Sequence, residues 1–143
     1  MRRGAAALAL LLSAAPALAW EFTPGPPCRL DHAEGDLSVN LTHDPGPPRF
    51  TITYRSPVPL PREPIFAIRF EGAAPLTITT DRHTYGPEGR SLTVSDRGFG
   101  NLLRGMAGNG RMVALLGERT LPLSLAGAAP QVRPFAECAA ALS

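Results

Sequence analysis

The strongest constraint in this chain is a series of short runs in which apolar and polar residues alternate, each run closed by proline or glycine. Leu37, Val39 and Leu41 alternate with Ser38, Asn40 and Thr42, and Phe50, Ile52 and Tyr54 with Thr51, Thr53 and Arg55. Phe66, Ile68 and Phe70 repeat the pattern, with Ile65, Ala67 and Arg69 beside them. A period of two sends successive side chains to opposite faces, so each run reads as a strand buried on one side. The segment 44–48 and the stretch 57–64, with four prolines, must interrupt these strands, because proline fixes φ and cannot donate to a ladder. Residues 28–33 read as the first strand, turned at Glu34-Gly35-Asp36, after an irregular proline-rich start over 21–27.

Leu76, Ile78 and Thr80 are followed by the turn signal Gly86-Pro87-Glu88-Gly89 and then by Leu92 and Val94. Keeping both apolar rows on one face sets Ile78 opposite Val94 and Thr80 opposite Leu92 in a hairpin. Phe99, Leu102, Leu103 and Met106 change the period to that of one helix face, which predicts a short helix near 97–107. Residues 112–116 and 120–125 form a last hairpin around Gly117-Glu118, its second strand at an edge because it carries Pro122. Val132, Phe135, Ala139 and Leu142 make a helical stripe near 133–142, with Pro134 in the first turn. The implied class is all-β: an antiparallel β-sandwich or partly open barrel of about eight short strands, with two short helices.

Residues 1–19 have a different character. Arg2 and Arg3 precede the apolar run 5–12, and Ala17-Leu18-Ala19 supplies the small side chains that a signal peptidase accepts. This is the pattern of a secretory signal peptide cleaved after Ala19, leaving 20–143 as one mature domain. The uncharged stretch 4–19 is sixteen residues, short of the roughly 18–20 that span a bilayer. No later stretch is long and apolar enough either, so no membrane insertion is expected after cleavage. The expected address is the periplasm or the medium.

Removing that segment also changes the charge. The chain has 14 basic residues, every one an arginine, and 12 acidic ones; without Arg2 and Arg3 the signs balance at 12 each. A neutral domain with no arginine cluster lacks the footprint of a nucleic-acid binder. An oxidising compartment permits a disulfide, and the two cysteines, Cys28 and Cys138, stand near opposite ends of the mature domain. Free thiols, a metal pair and a redox pair are the alternatives. Redox chemistry usually wants a close C-x-x-C, so a structural Cys28–Cys138 bridge is expected.

Catalytic signatures are lacking. The sequence holds no G-x-S-x-G, P-loop, H-E-x-x-H or EF-hand loop, and Gly98-Phe99-Gly100 lacks the third glycine of a dinucleotide-binding turn. Neither a cofactor nor a metal is expected. His32, His43 and His83 read as solvent-exposed residues at strand ends; the sharper alternative gathers His43, Asp81 and His83 into a metal-assisted or hydrolytic site. The most unusual local feature is a repeated Asp-Arg, in Thr80-Asp81-Arg82-His83 and again in Ser95-Asp96-Arg97-Gly98. A rim of Asp81, Arg82, His83, Asp96, Arg97 and Phe99 would offer arginine forks to a carboxylate, phosphate or glycan. The plainer account has the aspartates capping turns, Asp96 capping the following helix, and the arginines solvated or paired.

Several of these stretches carry a resemblance. Trp20-Glu21-Phe22-Thr23-Pro24, Cys28 with Leu30 and His32, the two Asp-Arg segments through Asn101, and Gly127-Ala128-Ala129-Pro130 with Phe135 and Cys138 are similar to a group of short exported alphaproteobacterial proteins. Some members bear the name of the helicase-like component of the ABC excinuclease. That name denotes a long cytoplasmic ATPase, and a short chain without a Walker motif does not fit it. The resemblance implies export and a compact domain and supplies no catalytic residues. The expected function is therefore a small periplasmic, non-catalytic binding or accessory protein whose partner is a protein or a cell-envelope component. The enzyme built on His43, Asp81 and His83 is the alternative, and a structural cell-envelope protein is the second.

Overall fold

A computed structural model describes residues 19–46 and 49–142, together with Gly4, Ala9 and Leu10. Apart from those positions, the segment assigned above to a signal peptide lies outside the described residues, as do Pro47 and Pro48 of the first proline-rich turn. Among the described residues the chain forms ten strands and two helices. In order they are β1 (Glu21–Thr23), β2 (Cys28–Glu34), β3 (Leu37–Asp44), β4 (Arg49–Arg55), β5 (Phe66–Glu71), β6 (Leu76–Thr80), β7 (Thr84–Tyr85), β8 (Ser91–Asp96), α1 (Gly100–Gly108), β9 (Arg111–Leu116), β10 (Arg119–Ser124) and α2 (Ala129–Ala141). A six-stranded sheet runs β1-β2-β3-β4-β8-β7 and a four-stranded sheet runs β10-β9-β5-β6, every pairing antiparallel. The fold is a β-sandwich, not a closed barrel.

The alternating runs set this architecture. Leu30, Leu41 and Ile52 form one buried row across the larger sheet, Val39, Tyr54 and Leu92 form a second, and Phe70, Met112 and Leu123 form a facing row in the smaller one. On the opposite face of the larger sheet the same alternation leaves hydroxyls, which pair across strands: Thr42 with Thr51 at 2.5 Å and Thr53 with Thr93 at 2.9 Å. The two helices cover one end of the sandwich. Phe135 and Val132 of α2 are buried, and Phe135 meets Phe50 edge-on at 6.2 Å. Cys28 and Cys138 are joined, tying α2 to the first residue of β2 across 110 positions of sequence.

Three local expectations need correction. β6 and β8 are not a hairpin: Ile78 pairs with Ile68 of β5, and Val94 with Ile52 of β4, so the two runs belong to different sheets. The long connection between them crosses from one sheet to the other, making β7 and a short 3₁₀ turn at Pro87–Gly89 on the way. Secondly, α2 starts at Ala129, with Pro130 in its first turn, and Pro134 lies inside it. Thirdly, part of the irregular start is a strand, since Glu21, Phe22 and Thr23 pair with Asp31, Leu30 and Arg29.

The two long sides of the sandwich are finished differently. On one side Trp20, almost fully buried, donates its indole N–H to the Ser124 carbonyl at 2.9 Å. The Glu34 carboxylate accepts the Ser124 backbone N–H at 2.6 Å and lies 2.9 Å from His32 Nε2, while the His32 ring stacks on Trp20 at 4.5 Å. This group stitches β2 of one sheet to β10 of the other. On the far side, where β6 faces β8, the sheets part.

Candidate functional site

The gap between β6 and β8 is a cleft of about 420 Å³. Its floor is apolar: Ile52 and Val94 come from the larger sheet, and Phe66, Ile68 and Ile78 from the smaller one. The first turn of α1 closes one end with Phe99 and Leu102. Ile78 and Val94, the pair that the alternation matches in register, do share a site, across the space between sheets and not across a strand ladder. Both remain half-buried: among the described residues Ile78 stands on the outer strand of its sheet, and β7 pairs with Leu92 and Thr93 of β8, short of Val94.

Charge gathers at the mouth. Arg82, just after β6, reaches across the opening to Asp96 at the end of β8, with Nη2 and Oδ2 3.3 Å apart. The pair is exposed, so its worth as a tie is small, about 0–1 kcal/mol. It is a contact that an incoming ligand can displace. Arg104 of α1 also lines the cleft; its guanidinium donates to the Asn101 side-chain oxygen and forms no ion pair among the described residues. The α1 N-terminus has no side-chain cap, and the Leu103 N–H bonds to the Phe99 carbonyl. The backbone donors before Leu103 therefore add to the positive character of this end.

Of the six rim residues named from sequence, three line the cleft: Arg82, Asp96 and Phe99. Phe99 is buried, 7% exposed, and packs on Phe50 at 5.4 Å, so it is a wall of the cleft and not a projecting anchor. Asp96 does not cap α1. Its Oδ1 accepts the Arg97 backbone N–H at 2.6 Å, and Phe99 occupies the cap position. Asp81 and Arg97 are exposed beside the mouth, and His83 turns away, its Nε2 2.8 Å from the Glu63 carbonyl oxygen. Alternation misses Arg104 and Asn101, which a helix start placed beside a sheet gap brings in. That gap cannot be located while β6 and β8 read as neighbours.

The histidines are not the exposed strand-end residues expected. His43 is fully buried in the same inward row as Val39 and Leu41 and packs against Phe50 at 4.5 Å; His32 is 5% exposed. Strand alternation carries both into the core, and each finds an aromatic face there. Among the described residues no three His, Cys, Asp or Glu side chains stand close enough to hold a metal ion, so His43, Asp81 and His83 form no such cluster. None of those three lines the cleft, whose lining has no histidine, cysteine or serine among the described residues. What the cleft can do is hold apolar groups under a charged mouth.

Compared with family models, with curated proteins and with solved structures, the chain matches none.

Proposed function

We propose that this chain is a small exported protein, released by cleavage after Ala19, that binds a partner in the cleft between its sheets and performs no catalysis. The observation that carries this reading is the cleft itself: an apolar floor and a mouth with two arginines against one carboxylate, at a scale usual for ligand sites. Among the described residues its lining holds no histidine, cysteine or serine, the residues from which a hydrolytic nucleophile and its base are most often drawn. Export is supported by the charged, apolar and small-residue pattern of 1–19, by the disulfide, and by the likeness to short exported alphaproteobacterial proteins. No helix among the described residues is long and apolar enough to cross a membrane. The partner is a protein or a cell-envelope component.

The test is site-specific photo-crosslinking in intact cells. A photoreactive residue at Thr79, in the cleft lining, should give an adduct that the same residue at Thr120, on β10, does not. Ile78→Trp, which fills the floor, should suppress the adduct. Identical patterns at both positions would remove the cleft from consideration. Sequencing the recovered protein from its amino end should read Trp20 first; a retained leader would refute the cleavage.

A further inference from the structure

We infer that the occupant of the cleft is an extended polypeptide segment that adds a strand to the free edge of β6. This inference rests on the binding function proposed above and specifies its ligand. Four strands end the two sheets: β1, β7, β10 and β6. Three of them are protected. β1 has three residues, and its Phe22 N–H is taken by the Gln131 side chain; β7 has two residues; β10 carries Pro122 and is bonded at Ser124. Proline, shortness and cover are the usual ways in which proteins blunt a sheet edge.

β6 has none of these devices over most of its length. Its sequence, Leu76-Thr77-Ile78-Thr79-Thr80, holds no charge and no proline, and among the described residues it pairs only with β5. The residue after α1 is tied to the turn before β6, where the Asn109 side chain bonds both the N–H and the carbonyl of Ala74. Beyond that point a row of backbone donors and acceptors faces outward beside an apolar cleft. A backbone edge is complemented by another backbone. A hydrocarbon chain fills the cleft but leaves that row unmatched, whereas an extended peptide satisfies it and sends every second side chain onto Ile68, Ile78 and Val94. Charge selects further. The mouth carries Arg82 and Arg104 against Asp96, so a segment ending in a carboxylate side chain at that mouth is favoured, taking Arg82 from Asp96.

The experiment uses the oxidised protein and a pool of blocked nonapeptides, with Val, Ile, Leu or Phe at alternate positions and Asp at one end, at the other or at neither. The expected result is saturable binding that slows amide hydrogen exchange over residues 77–80. Methylating alternate peptide nitrogens should weaken binding about tenfold or more in one phase and little in the other, since only every second N–H faces the neighbouring strand. Arg104→Ala should weaken the Asp-bearing peptides and leave neutral ones unchanged. Decanoate is the control for a plain hydrocarbon anion. Decanoate binding with no peptide binding, or peptide binding without protection at β6, would overturn strand addition while leaving the cleft a ligand site. If neither probe perturbs any cleft residue, both readings fall. A dimer in solution that Thr79→Pro dissociates would assign the edge to a second copy of the chain and overturn the proposal in that way.

Discussion

Tyr54 shows how much a single buried atom can reveal. It is fully enclosed, facing Phe66 at 5.8 Å, and its hydroxyl finds no hydrogen-bond partner among the described residues. A buried hydroxyl without a partner costs about 1–3 kcal/mol, so Tyr54→Phe should leave stability unchanged or raise it by about 1 kcal/mol in urea titrations. Burial also pushes the hydroxyl pKa well above its ordinary value of 10.0. The folded state then holds its proton where the unfolded chain releases it, so stability is intact below pH 10 and falls above it. The expected slope is about 1.4 kcal/mol per pH unit, and it should be missing from Tyr54→Phe measured beside the wild type. Gly105 gives the opposite case: a Cβ there would stand 2.6 Å from the Phe70 ring. Gly105→Ala should cost about 1–3 kcal/mol in the same titration despite its better helix propensity. At this scale alternation predicts which way a side chain faces but not what it meets. It places His32 and His43 on the inner row, yet polarity alone suggests the outside; the aromatic partners that accommodate them are visible only after folding.

At the scale of elements, most strands were legible because each is a short alternating run between strong turn signals. β3, β4 and β5 fall where the pattern puts them, and the closing hairpin of β9 and β10 turns at Gly117-Glu118, where Gly117 takes φ +58°. Pairing was legible only where the connection was tight. Between β6 and β8 parity permits the register Ile78–Val94, but parity is equally met by the two separate pairings found. β1 and β7 are illegible because three and two residues are too few to show a period. The helix start is ambiguous in sequence for a different reason. Two prolines, Pro130 and Pro134, compete for the first turn, and the apolar stripe from Val132 fits either choice. Pro134 lies inside α2, where it lacks the N–H that its turn requires. Pro134→Ala should therefore stabilise the protein by about 1–3 kcal/mol, whereas Pro130→Ala should change little. Thermal unfolding of the two variants decides the order.

For the whole molecule, the bridge between Cys28 and Cys138 was the most readable feature and the cleft the least. Two cysteines near the ends of the folded domain leave one pairing to make, whereas a cleft depends on how two sheets are laid over each other. In the chain-entropy account, a closed loop of 110 residues contributes about 4–5 kcal/mol by restricting the unfolded chain. Reduction should lower the denaturation midpoint accordingly, and the m-value should rise as the unfolded chain becomes freer to expand. The stitched side and the open side then have different duties. Trp20 and Glu34 hold one pair of edges together, so opening at the other pair need not spread through the sandwich. Trp20→Ala should cost about 3–5 kcal/mol and should raise hydrogen exchange at Ser124 before it affects β6.

The same bridge decides what a protease can accomplish. Exposed loops such as the proline-rich stretch before β5, where Val58 and Ile65 are 47% and 51% exposed, invite cutting. Any single cut between Cys28 and Cys138 leaves two fragments that remain one covalent molecule until the sulfurs are reduced. A nicked sample should run as a single band without reductant and as two with it. In an environment rich in proteases, the chain can thus be broken once and still be retained whole.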